Sequence, residues 1–252
     1  MEARSLTRAR RKNLIYKYRK SKRALFLLDY DGTLAPFNSR PELVFPDSEL
    51  KKILAKLNKN TKNSLIIISG RDRHTLEKWV DKFTTGLVAE HGVWIKDDKW
   101  QMIDNLSDEW KEDIRPILET FVDRTPGSFV EEKAYSLVWH FRKVDPALAV
   151  VRVGELMDVL LHITANLNVG VLEGNKVIEI KDTGVDKGRA AIQWISKIKP
   201  DFILSIGDDW TDEDVFEVLP GWAFSIKVGY EPSKARYNIS NYSEVRKLLN
   251  EL

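Results

Sequence analysis

The run Ala24-Leu25-Phe26-Leu27-Leu28 ends at Asp29-Tyr30-Asp31-Gly32-Thr33. An unbroken apolar stretch of this length reads as a strand buried on both faces, and it stops at two carboxylates spaced i, i+2. Side chains alternate along a strand, so both acids point the same way if the strand continues unbroken. Gly32 permits a sharp turn, and Thr33 adds a hydroxyl. Two acids at the carboxyl end of a buried strand are costly unless they are paired or bind a cation. That end is also where open α/β sheets build their sites. The chemistry favoured is a nucleophilic aspartate, a neighbouring acid/base aspartate and Mg²⁺.

Two further buried-strand signals end in the same manner. Residues 64–68 run into Ser69-Gly70-Arg71, and residues 202–206 run into Gly207-Asp208-Asp209. Helical spacing is expected over 48–59, 72–82 and 187–197, and strand-like runs at 87–89 and 222–228. Strands alternating with helices imply a parallel, Rossmann-like α/β core. Between about 105 and 181 the order becomes helix-strand-strand-helix-strand-strand, with the last pair turning at Glu173-Gly174-Asn175. That order predicts an inserted α+β domain, an antiparallel sheet with helices on one face. The expected boundaries are a basic segment over 1–23, a core over 24–104 and 182–252, and the insert over 105–181.

Composition narrows the classes. The chain of 252 residues has no cysteine, which excludes thiol nucleophiles, disulfides and zinc-thiolate sites. A reducing, cytoplasmic location fits. No apolar run reaches the ~20 residues of a membrane span. The net charge of +2 hides an asymmetry: ten of the Lys and Arg residues and a single Glu fall in residues 1–23. A nucleic-acid arm is one reading of that run, but no stacking platform or recognition module follows it. A solvated helix or linker is the plainer reading, with Leu14, Ile15 and Tyr18 as its apolar face, and no nucleic-acid or membrane partner is expected.

Singly, each polar cluster reads as a turn or a helix cap. A parallel sheet, however, brings all three strand ends to one edge, with Asp186-Lys187-Gly188 between the last two in sequence. The arrangement suits phosphoryl transfer. Asp29 attacks phosphorus, Asp31 protonates the leaving alkoxide and later deprotonates water, and Lys187 offsets charge on the phosphoryl oxygens. Mg²⁺ suits an all-oxygen set of Asp29, the backbone carbonyl of Asp31, and Asp208. Ser69 or Thr33 can donate to the phosphate. Asp212 is expected to orient Lys187 or a bound water, and Asp209 to stand behind the ligands.

These motifs, in order and spacing, resemble the haloacid dehalogenase superfamily with its larger α/β cap. The resemblance extends to the trehalose-6-phosphate phosphatase family through Ala89-Glu90-His91-Gly92, Val130-Glu131-Glu132-Lys133, Trp139-His140-Phe141-Arg142, Lys176-Val177-Ile178-Glu179 and Gly207-Asp208-Asp209-Trp210-Thr211-Asp212. It implies a Mg²⁺-dependent phosphatase with Asp29 as nucleophile, Asp31 as acid/base and metal contacts from Asp29, Asp31 and Asp208. It further implies sugar or phosphate contacts from Arg71, Glu90, His91, Gly92, Glu131, Lys133, His140, Arg142 and Glu179. The family's phosphatase domain often follows a synthase domain, and the basic lead into the first strand resembles such a junction. The resemblance therefore implies fusion to, or action with, a trehalose-6-phosphate synthase.

The cap residues also make chemical sense as a set. An open sheet face bearing both acids and bases suits a polyhydroxylated ligand, which needs acceptors and donors. The residues alone equally allow an ordinary wet sheet face. Competing functions are a phosphatase for another glycosyl phosphate such as sucrose 6-phosphate, a phosphomutase, and a sugar-phosphate-sensing domain without catalysis.

Overall fold

The computed structural model describes residues 3–38, 43–103, 106–174 and 176–252. The chain divides into two compact units, Met1–Ile103 with Asp186–Leu252, and Asp104–Val185. The first unit is built from β1 (Arg4–Ser5), α1 (Arg8–Lys20), β2 (Ala24–Leu28), α2 (Ser48–Lys59), β3 (Asn63–Ile68), α3 (Arg73–Val80), β4 (Gly86–Ala89), β5 (Trp94–Lys96) and β6 (Trp100–Met102). The second unit supplies α4 (Trp110–Asp123), β7 (Phe129–Glu132), β8 (Ser136–His140), α5 (Pro146–Thr164), β9 (Val169–Gly174) and β10 (Val177–Asp182). The chain then returns to the first unit with α6 (Lys187–Ile198), β11 (Phe202–Gly207), α7 (Asp212–Val218), β12 (Phe224–Val228), β13 (Tyr237–Ile239) and α8 (Tyr242–Glu251).

Among the described residues the core sheet runs β1-β13-β12-β11-β2-β3-β4-β5-β6. Pairing is parallel from β1 to β4, and antiparallel from β4 to β5 and from β5 to β6. The central strand β2 explains why its sequence is apolar throughout. Phe26 and Leu28 join Leu14, Leu50, Leu54 and Leu248 on one face of the sheet. Leu25 and Leu27 join Ala190, Ala191, Trp194 and Val215 on the other. Each such buried side chain contributes about 1.5–3 kcal/mol. Asp47 caps α2 by accepting from the Leu50 amide at 2.8 Å, and the expected stripe Leu50, Ile53, Leu54 and Leu57 is buried.

The basic lead behaves differently from a separate segment. Thr7 caps α1, whose Leu14 and Tyr18 are buried. The Tyr18 hydroxyl donates to Asn63 Oδ1 at 3.1 Å, and Arg11 bonds the Glu251 carboxylate at 2.8 Å. Residues 3–23 are thus packed on the first unit, because the two large apolar side chains of a charged helix find a place in its core. The linker Thr183-Gly184-Val185 falls in the second unit, so that unit runs past the expected boundary at 181. The expected boundary at 104/105 and the turn residue Asn175 lie outside the described residues.

The second unit holds an antiparallel sheet in the order β7-β8-β10-β9. Its helices cover one face only: Trp110, Ile114 and Leu118 of α4 and Ala149, Leu156 and Leu160 of α5 pack with Leu137, Trp139, Ile178 and Ile180. The register places Glu131 and Glu179 opposite Val138, and Phe129 opposite His140. These residues therefore share the sheet's other face.

Candidate active site

The parallel register brings three strand ends to one level. Leu28 pairs with Ile206 and with Ile67, and the Asp29 amide donates to the Ile206 carbonyl at 3.0 Å. The strand stops at Leu28, and the chain turns over Tyr30–Ala35. The Leu34 and Ala35 amides both donate to the Tyr30 carbonyl, at 2.9 and 3.0 Å. Gly32 has φ +82°, which only glycine adopts cheaply. A Cβ there would lie 2.2 Å from Asp208 Oδ2, so the turn needs glycine on two counts.

At the bottom of this edge sits a buried charge cluster. Lys187, the first residue of α6, is 2% exposed. Its Nζ donates to Asp29 Oδ1 at 2.9 Å and to Asp212 Oδ1 at 2.8 Å. Asp186 caps the helix by accepting from the Gly188 amide. The other Asp212 oxygen accepts from the Asp208 and Asp209 amides at 3.0 and 3.1 Å. Asp212 thus fixes the β11–α7 turn and orients Lys187 at the same time. Thr33 Oγ1 donates to Asp208 Oδ1 at 3.0 Å.

Burial pushes the Asp29 carboxyl well above its ordinary value, against the pull of Lys187. Burial, reinforced by Asp212, raises Asp208 to about 7. Burial also raises Asp209, whose carboxylate accepts from the Trp210 amide and whose carbonyl accepts from Lys227 Nζ. Lys187 moves the other way. Burial alone would depress it, but Asp212 and Asp29 outweigh that and hold it protonated well above its usual range.

Carboxylate oxygens of Asp29, Asp208 and Asp212 lie within 4.8 Å of one another. Three acids this close, facing a single lysine, form an oxygen-only set that fits a hard divalent cation. Asp29 Oδ2 is buried and has no hydrogen-bond partner among the described residues, which a cation or an electrophile would satisfy. Asp212 already spends both oxygens on Lys187 and two amides. Asp29 and Asp208 are therefore the better ligands.

Around this cluster the remaining core-unit residues fall into place. Ser69 is buried, and its Oγ accepts from the Arg71 amide at 3.2 Å. The Ser69 and Arg71 carbonyls accept from the His91 and Glu90 amides at 3.0 and 2.9 Å. This zips the loop after β3 to the turn after β4. That turn holds three successive residues, Glu90, His91 and Gly92, at φ 49°, 57° and 117°. Left-handed backbone at two non-glycine positions is costly and is characteristic of functional sites.

Arg71, expected to contact the phosphate or the sugar, lies against Asp31. Its guanidinium grips Asp31 through Nε and Nη2, each at 2.6 Å. The Arg71 fork matches a carboxylate, and the guanidinium lies 4.4 Å over the Trp79 ring and 5.7 Å from that of Tyr30. Trp79 was not among the expected site residues, because a tryptophan on a helix face reads as core.

The second unit holds the other five expected residues. His140 Nε2 lies 2.8 Å from Glu131 Oε2, and Phe129 stacks on the His140 ring at 4.5 Å. Glu179 is on the same face and buried. Two of the five lie past the ends of their strands. β8 stops at His140, because Phe141–Val144 turns toward the Asp145 cap of α5, so Arg142 shares no strand with His140. Likewise β7 stops at Glu132, and Lys133 lies in the turn beyond it.

Residues 27–246 match the trehalose-phosphatase family model. The chain belongs to the trehalose-phosphatase family. It is 38% identical over 237 residues to a bifunctional trehalose-6-phosphate synthase/phosphatase of Thermoproteus tenax, covering 93% of this chain and 32% of that protein. It is 39% identical over 232 residues to a trehalose-phosphatase of Zygosaccharomyces rouxii, covering 82% and 26%. The chain thus spans about a third or less of these relatives' length. Among solved structures, the C-terminal domain of the Candida albicans trehalose-6-phosphate phosphatase superimposes with a TM-score of 0.89 at 30% identity, covering 98% of this chain and 96% of that one. The expected fold, a haloacid-dehalogenase-like core with an antiparallel cap sheet, is the fold of this family member. Among the described residues, no helix is long and apolar enough to cross a membrane.

Proposed function

We propose that this chain hydrolyses trehalose 6-phosphate to trehalose and phosphate through an aspartyl-phosphate on Asp29. One observation carries the reading: the buried Asp29–Lys187–Asp212 cluster beside Asp208, at the sheet edge of a chain matched to the trehalose-phosphatase family over residues 27–246.

Lys187 holds Asp29 Oδ1, which leaves Oδ2 as the attacking oxygen. Oδ2 forms a bond to phosphorus as the bond to the sugar oxygen breaks, and Asp31 passes its proton to that oxygen. Asp31 then takes a proton from water, whose oxygen attacks phosphorus and releases Asp29. Both oxygens of Asp31 accept from Arg71, so Asp31 must give up at least one of these bonds to act as the acid. Asp29 and Asp208, with the Asp31 backbone carbonyl, would hold Mg²⁺. When bound, Mg²⁺ supplies positive charge to the phosphoryl oxygens and keeps the carboxylates ionised. Ser69 and Thr33 would donate to the phosphate.

In the second unit, Glu131, Lys133, His140, Arg142 and Glu179 are assigned to the sugar hydroxyls. In the core unit, Glu90, His91 and Gly92 are assigned to the substrate. Action together with a trehalose-6-phosphate synthase activity, fused or separate, and a cytoplasmic location belong to the same proposal.

The test is phosphate release from a panel of sugar phosphates, with Mg²⁺ and with EDTA. The expected result is Mg²⁺-dependent release that favours trehalose 6-phosphate and vanishes in Asp29→Asn. Preference for sucrose 6-phosphate would overturn the substrate, and activity surviving in Asp29→Asn would overturn the nucleophile.

A further inference from the structure

The second unit contains a buried lysine that the mechanism does not use. Lys111 stands on the apolar face of α4 beside Trp110, Ile114 and Leu118, and is 5% exposed. A lysine there is costly unless its donors are all engaged. Its Nζ donates to the carbonyls of Lys133 and Ala134 at 2.5 and 2.7 Å, and to Glu132 Oε1 at 3.4 Å. The first two acceptors are successive peptide groups of the turn joining β7 to β8. Arg115, one helical turn further along α4, bonds the other Glu132 oxygen. The Lys133 amide closes the turn by donating to the Ser136 carbonyl at 3.0 Å.

We infer that Lys111 is a positioning residue for sugar recognition, which fixes the turn carrying Lys133 by holding its two carbonyls against α4. The argument is geometric. Lys133 follows the last residue of β7, so no ladder bond to a neighbouring strand holds its carbonyl. With two successive carbonyls pinned, the peptide planes on both sides of Ala134 are fixed, and so is the direction in which the Lys133 Cα presents its side chain. A hydrophobic side chain at 111 would remove both of these bonds and loosen the turn. The inference rests on the proposed role of Lys133 at the sugar.

The experiment compares trehalose 6-phosphate with a nitrophenyl phosphate, which presents the phosphate without the sugar, on the whole chain with Mg²⁺. Lys111→Met is expected to lower kcat/KM for trehalose 6-phosphate by about 10- to 100-fold, chiefly through KM, the scale of loss when a remote change misplaces a binding group. Its nitrophenyl phosphate turnover is expected to stay within about twofold, because sugar contacts do not enter that reaction. Lys111→Arg, which keeps donors for both carbonyls, is expected to recover most of the loss. Equal losses on both substrates, or no loss on either, would overturn the inference. If Lys111→Met does not fold, Lys111→Gln is read by the same substrate ratio. Lys133→Ala separates the two ideas. A selective loss there without one in Lys111→Met sinks the positioning role alone, while an unchanged Lys133→Ala sinks the sugar contact on which it depends.

Discussion

Replacing Lys187 with methionine tests the electrostatic core of the site. Methionine fills most of the volume but leaves Asp29 and Asp212 facing each other without a cation, with side chains only 8% and 5% exposed. Removing one partner of a buried pair costs about 3–5 kcal/mol. At a urea slope of about 2–3 kcal/mol per molar, that shifts the unfolding midpoint by about 1–2.5 M. The deficit must depend on pH. With Lys187 gone, the folded pKa of Asp29, which burial already raises, climbs further above its unfolded value near 4. A carboxyl raised in the fold costs stability as pH climbs from the unfolded value to the folded one. The deficit is therefore smaller near pH 5 than near pH 8. Urea titrations followed by the fluorescence of the eight tryptophans, in EDTA at both pH values, give the two numbers. A deficit below about 1 kcal/mol at pH 8, or one that is equal at pH 5 and 8, would refute a buried cluster held together by this cation.

Three further outcomes follow from the same geometry. Asp208 is raised to about 7, so cation binding must displace a proton below that value; calorimetry in buffers of different ionisation enthalpy is expected to show proton release at pH 6, and Mg²⁺ affinity rising to about pH 7 and levelling above it. Gly32→Ala places a methyl against Asp208 at positive φ and is expected to cost about 1–3 kcal/mol by denaturation, together with most of the Mg²⁺-dependent turnover. Leu14→Ala, far from the chemistry but fully buried, is expected to cost about 2–5 kcal/mol with turnover per folded molecule unchanged; a neutral effect would mean that α1 is not docked in solution.

Much of the site was legible because parallel strands act as a ruler. Once three buried runs are recognised, their polar ends must meet, and Asp29, Ser69 and Asp208 do. The cap sheet was readable in part: Glu131, His140 and Glu179 share the face its helices leave, while Lys133 and Arg142 lie past the strand ends. What was not legible depends on groups that sequence keeps far apart or gives no period. β1 and β13 are two and three residues long, too short to show alternation. The docking of α1 hangs on Leu14 and Tyr18 amid ten cationic neighbours in residues 1–23. The left-handed turn carries a glycine only at its third position, with Glu90 and His91 before it, so its first two residues do not announce it. The grip of Arg71 on Asp31 joins residues 40 positions apart, and either partner alone suggests a ligand contact instead.

The far end of the chain also reaches this neighbourhood. Arg246 of α8 is buried, and it donates from Nε to the Leu34 carbonyl at 2.8 Å and from Nη1 to Asp47 Oδ2 at 2.7 Å. Leu34 belongs to the turn that follows Asp29, the proposed nucleophile, so α8 is a buttress for that turn. Trimming α8 to make a tidier clone or a shorter fusion would saw at the bracket that keeps that turn in place.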